Sequence, residues 1–158
     1  MTMQEIEQDL PCGFHDASLD YFNFDIGNLI LVLKFQLLIG HDEKLNRTIY
    51  KIGEFTIKHV SFFAIDPYFL FMASKNRPRP KNKWEITVFN LSNDIPKNIK
   101  IDRNLLNKSH SIANFFMGDE GIFYSMVILY ETVEFQWLGE PVYYGPPPEK
   151  GNGGGGRE

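Results

Sequence analysis

Residues 29–39 read Leu-Ile-Leu-Val-Leu-Lys-Phe-Gln-Leu-Leu-Ile, with Leu29, Leu31, Leu33, Phe35 and Leu37 on one parity and Ile30, Val32, Lys34, Gln36 and Leu38 on the other. Alternate side chains of an extended chain point to opposite faces, so this run has one wholly apolar face and a second that is apolar at its start. That pattern predicts a central strand. A membrane helix needs about 20 apolar residues, and this run is far shorter and interrupted by Lys34 and Gln36, so no transmembrane segment is expected. Leu19 to Asp25 precedes it as a second strand, with Phe22, Phe24 and Ile26 on one parity, and Asp25-Ile26-Gly27-Asn28 between them is turn chemistry. A β-hairpin is the first firm expectation.

The chain on either side extends the same theme. Residues 2–10 have Ile6 and Leu10 four apart, which predicts a helical turn closed by Pro11. Gly40 to Asn46 reads as a polar loop, Arg47 to Ile52 as a strand ending at Gly53, and Glu54 to Ile65 as further strand up to Asp66-Pro67. Pro78 and Pro80 make Lys75 to Lys83 a loop, and Trp84 to Asn90 alternates as a strand. Leu105, Leu106, Ser109, Ile112, Ala113 and Phe116 fit helical spacing, so a helix is expected over 104–116, capped by Asp102. Ile122 to Trp137 is long enough for one bent strand or two short ones. The expected fold is a β-rich α+β domain, a curved antiparallel sheet or sandwich with one or two short helices, spanning residues 1–144 as a single unit. Residues 145–158 hold three consecutive prolines and a glycine run, which predicts a disordered Pro/Gly-rich tail.

Composition narrows the function classes. The 14 Phe, 7 Tyr and 2 Trp suit strands and supply much of the burial a chain of 158 residues needs for a core. The one cysteine, Cys12, leaves no intrachain disulfide and no paired-cysteine zinc site, which fits a reducing cytoplasm. Met1 to Leu10 carries Glu5, Glu7 and Asp9 and lacks the apolar centre of a secretion signal. Residues 75–108 hold nine basic side chains against Glu85, Asp94 and Asp102, so a net charge of −4 leaves the remainder at −10. The middle of the chain is basic and its flanks are acidic.

Few residues carry recognisable chemistry. Gly13, His15 and Asp16 sit in Pro11-Cys12-Gly13-Phe14-His15-Asp16-Ala17-Ser18-Leu19, where Gly13 permits a sharp bend and His15 and Asp16 can satisfy each other and local backbone. A metal-dependent enzyme using His15 and Asp16 is the alternative, but adjacent residues lack the i,i+4 spacing of helical ligand pairs. Cys12 lies three residues from His15 with no orienting third group in sequence, so it reads as a small buried residue rather than a nucleophile. No phosphate-binding glycine loop, nucleophile elbow or glutamate-bearing zinc helix is present, and neither a cofactor nor a metal is expected. Lys75, Arg77, Arg79, Lys81 and Lys83, followed by Trp84, make a nucleic-acid binder working through the basic loop 75–83 a further alternative, although the acidic remainder opposes a long polyanion. With so many rings in one small domain, some of Tyr143, Tyr144, Tyr68 and Trp84 are expected to lie exposed, where aromatics favour partner interfaces.

The segment Leu10-Pro11-x-Gly13-Phe14-His15-Asp16-Ala17-Ser18-Leu19, the hairpin through Phe35 and the strand Gly53-Glu54-Phe55-Thr56-Ile57-Lys58-His59-Val60 resemble small bacterial domains of unknown function. Some of those are similar to immunity proteins, the cytoplasmic antidotes of polymorphic toxin systems. The resemblance covers the first 60 or so residues and, less clearly, Gly121 to Trp137. It implies a bacterial source, a cytoplasmic location and a binding role; with the catalytic motifs missing, the expectation is a non-catalytic domain that binds another protein, such as a toxin domain, and a basic toxin would suit the acidic flanks.

Overall fold

The structure is a computed structural model that describes residues 1–65, 86–97, 99–106, 110–119 and 122–145. Its elements in chain order are α1 (Met3–Asp9), β1 (Ala17–Asp25), β2 (Ile30–Asp42), β3 (Arg47–Lys58), β4 (Phe62–Ile65), β5 (Ile86–Ser92), α2 (Arg103–Leu106), β6 (Ser111–Asp119), β7 (Ile122–Tyr130) and β8 (Thr132–Tyr144). The strands form one antiparallel sheet in the order β4-β7-β6-β5-β1-β2-β3-β8. This is a β-rich α+β fold.

Connectivity forces that sheet to curl. Glu131 alone separates β7, second in the order, from β8, the last. Six interstrand spacings in a flat sheet amount to about 29 Å, whereas two residue steps reach at most about 7 Å. The two ends of the sheet must therefore meet. They do so through a bent ribbon, in which β3 paired with β8 continues around a corner as β4 paired with β7. His59, at φ 54°, makes the bend; Ser61 N–H donates to the Leu129 carbonyl at 2.9 Å and Glu131 N–H to the Lys58 carbonyl at 3.3 Å. Corners of this kind, where strands pass from one layer to the next, are a known way to fold a sheet over its own core.

The enclosed face is aromatic. Leu31, Leu33, Phe35 and Leu37 of β2 are all fully buried, together with Phe55 of β3 and Phe115 and Met117 of β6. Phe14 lies among them, with ring centroids 5.2 Å from Phe35, 5.4 Å from Phe55 and 5.2 Å from Phe115. The helix α1 adds Met3 and Ile6 to the same core. Its start is fixed by a capping box between Thr2 and Glu5, and Met3 N–H donates to the Tyr130 hydroxyl at 2.7 Å.

Several sequence expectations need correcting. The helix expected over 104–116 is only α2, one turn begun by Asp102, whose side chain accepts from Asn104 N–H at 2.8 Å. Residues 111–119 are instead β6, held between β5 and β7, because Ala113, Phe115 and Met117 alternate into the core as well as Ile112, Ala113 and Phe116 fit a helix. Gly53 does not end a strand but lies inside β3, where an added Cβ would fall 2.6 Å from Leu37 Cδ1 and 2.7 Å from Phe135 Cε2. The expected 40–46 loop shrinks, since β2 runs on to Asp42 through a bulge between Leu38 and Gly40. Leu29 belongs to the hairpin turn, at φ 55°. The segment 122–137 is two strands, and β8 is long rather than short. The proline-rich basic loop, Trp84 and the tail beyond Gly145 lie outside the described residues.

Candidate functional site

The Pro11–Leu19 segment serves first to place Phe14. Gly13 takes φ 57°, and three successive turn bonds follow: Gly13 N–H to the Leu10 carbonyl at 3.3 Å, His15 N–H to Cys12 at 3.3 Å and Ala17 N–H to Phe14 at 3.0 Å. Asp16, at φ 58°, then turns the chain into β1. Aspartate is among the few residues that enter this region at modest expense. His15 Nδ1 lies 2.9 Å from Asp16 Oδ2, and both side chains are well exposed. On α1, burial pushes the Glu7 carboxyl up from its ordinary value, opposed by a hydrogen bond from Phe14 N–H that ties the helix to the turn.

Asp16 also opens onto a pocket of about 200 Å³ whose other walls are Ser18, Gln36, Thr48, Tyr50 and Tyr144. Register explains their meeting. Ser18 faces Gln36 across β1 and β2, Leu38 faces Tyr50 across β2 and β3, and Thr48 faces Tyr144 across β3 and β8. Directly paired residues share a face, here the one opposite the aromatic core. Gln36 and Ser18 are the buried polar side chains among the described residues, at 7% and 9% exposure. Gln36 Nε2 donates to the Tyr144 hydroxyl at 2.8 Å, and the Tyr144 ring stands edge-on to Tyr50 with centroids 5.5 Å apart. Gly145 holds the end of β8 close, for a Cβ there would meet the Asn46 carbonyl at 2.6 Å.

The same outer face carries a polar row one step along the strands. Lys34 Nζ lies 3.0 Å from Glu54 Oε2 and 5.4 Å from the Tyr21 ring centroid, while Gln136 Nε2 donates to Glu54 Oε1 at 2.7 Å. Those two hydrogen bonds, from Gln136 and then Lys34, hold the Glu54 carboxyl below its ordinary value. At the far side of β8, a second cleft of about 460 Å³ runs between Ile6 and Leu10 on one side and Val133, Phe135 and Trp137 on the other.

The sequence-derived residues are distributed unevenly over these features. Asp16 and Tyr144 come together in the pocket, while His15 stands at its rim through Asp16. Tyr143 is 53% exposed, but its parity puts it on the other face of β8 from Tyr144. Cys12 is half-buried in the turn. Among the described residues no group of three His, Cys, Asp or Glu side chains converges. Lys75, Arg77, Arg79, Lys81, Lys83 and Trp84 lie outside the described residues. Sequence reasoning missed Ser18, Gln36, Thr48 and Tyr50 as site residues. The available signal was the glutamine interrupting an otherwise apolar strand.

No family model matches the chain, and no curated protein matches it. A solved structure, described as an uncharacterized protein from Neisseria gonorrhoeae, is similar at 18% identity over 78% of this chain and 93% of that one, with a TM-score of 0.38. Nothing about function follows from a likeness of that degree. Among the described residues no helix is long and apolar enough to cross a membrane.

Proposed function

We propose that this chain is a non-catalytic domain that binds a basic protein partner, and that it acts in the bacterial cytoplasm as an immunity protein blocking a toxin domain. The observation that carries the binding reading is the pocket on the outer face, where buried Gln36 and Ser18 are held open to a space walled by one carboxylate, hydroxyls and an amide. Burying polar side chains is unfavourable, and this pocket places them by the end of β8, the edge strand among the described residues, where Tyr144 is 43% exposed. An exposed aromatic beside an edge strand favours a protein surface as the occupant. The acidic character of the flanking sequence favours a cationic one, because complementary charge speeds encounter and disfavours wrong partners.

The test is co-expression with the toxin domains encoded beside its gene. Restored growth, with a complex that co-elutes at one-to-one stoichiometry, is the expected result. Failure to rescue against every such toxin removes the immunity reading, and absence of any complex removes the binding reading with it.

A further inference from the structure

We propose that the pocket formed by Asp16, Ser18, Gln36, Thr48, Tyr50 and Tyr144 is a receptor for a guanidinium group, presented by the protein partner as an arginine side chain. This rests on the binding reading above and names the chemistry of what is bound. At about 200 Å³ the space is smaller than the roughly 300–1,000 Å³ of pockets that enclose whole small molecules. It suits one polar head group. Its walls hold one carboxylate and no cation, so an anion finds no counter-charge there and an apolar group would cover the Ser18 and Thr48 hydroxyls.

The arrangement of acceptors favours a planar, many-donor cation over a point charge. With Gln36 Nε2 committed to the Tyr144 hydroxyl, the carbonyl Oε1 is left at the other end of the amide as an acceptor. Asp16 Oδ2 faces His15 Nδ1, leaving Oδ1 as the second, charged acceptor. The hydroxyls of Ser18 and Thr48 stand on two further strands. Guanidinium offers five N–H donors in a fixed plane, which matches acceptors spread over several strands better than the three donors of an ammonium. Tyr50 and Tyr144 line the same space with their rings at 84° to each other, and aromatic rings attract a cation.

The experiment follows the Gln36 side-chain amide resonance of the whole chain by NMR during titration with acetyl-Gly-Arg-Gly-amide, its citrulline counterpart and its lysine counterpart. The arginine peptide is expected to shift that resonance saturably, the lysine peptide more weakly and the neutral, isosteric citrulline peptide not at all. Asp16→Asn keeps a residue that accepts left-handed φ, so its backbone spectrum should be retained while arginine-peptide affinity falls about tenfold or more. An equal response to citrulline, or none at Gln36 with the arginine peptide, overturns the proposal. Capture of the cognate toxin domain separates the sources. Loss of capture by Asp16→Asn places the arginine on the partner, whereas undiminished capture beside lost peptide binding assigns the pocket to a free guanidinium compound, overturns the partner role and leaves the binding function standing. If neither peptide nor partner binds the wild-type chain, both readings fail.

Discussion

Strand β2 has two faces that do different work. Inward, Leu31, Leu33, Phe35 and Leu37 are fully buried and belong to one continuous core of apolar residues. Outward, Lys34 and Gln36 take part in defined pairs, Lys34 with Glu54 and Gln36 with Tyr144. Apolar burial is non-directional and scales with area, so the inner face can be satisfied by many residues of suitable volume. Hydrogen bonds are directional and contribute little net stability, so an outer face that keeps them buried is better explained by recognition than by folding.

That contrast is broken most forcefully from the inside. Phe14→Ala, which removes the ring touching Phe35, Phe55 and Phe115, is expected to destabilise the fold by about 3–5 kcal/mol, seen as a lowered urea midpoint. Gly53→Val drives a branched side chain against Leu37 and Phe135 and should destabilise by about 1–3 kcal/mol in the same assay. Tyr130→Phe deprives the buried Met3 N–H of its acceptor, an expected loss of about 1–3 kcal/mol.

Tyr130 also sharpens the comparison through pH. Burial pushes its hydroxyl above the ordinary 10.0, so its contribution is complete below pH 10 and is lost as pH rises through the folded-state value. Alkaline unfolding should therefore lose part of its pH dependence in Tyr130→Phe. Glu54, on the outer face, works in the opposite sense. Its carboxyl is held below the ordinary 4.5, so its contribution is present above that pH and disappears as pH falls through the lowered value. Glu54→Gln should make the acid limb of stability slightly shallower, a small effect because the amide oxygen at that position can still accept from Gln136 and Lys34. Smallest of all is the expected stability change for Gln36→Leu, within about 1 kcal/mol, although its ligand binding should vanish.

The inner face was legible in the sequence and the outer one largely was not. Parity in 29–39 identified both the buried residues and the central position of β2, and Asp25-Ile26-Gly27-Asn28 marked the turn, where Asn28 N–H donates to Asp25 Oδ1 at 3.1 Å. Residues 104–116 misled because two periods fit the same apolar residues, and pairing with β5 and β7 decided between them. Gly53 misled because a glycine required for close packing looks the same in sequence as one that ends a strand. The pocket was invisible for a different reason. Asp16, Gln36, Thr48 and Tyr144 belong to segments joined only by strand register and by the curl of the sheet, neither of which a local pattern encodes.

The most direct test is the double variant Gln36→Leu/Tyr144→Phe, measured for urea midpoint and for binding of acetyl-Gly-Arg-Gly-amide on the same preparation. A retained midpoint with binding abolished is the expected result, since the outer face would then serve recognition and the inner face stability. A midpoint lowered as far as that of Phe14→Ala, or peptide affinity equal to wild type, would contradict it.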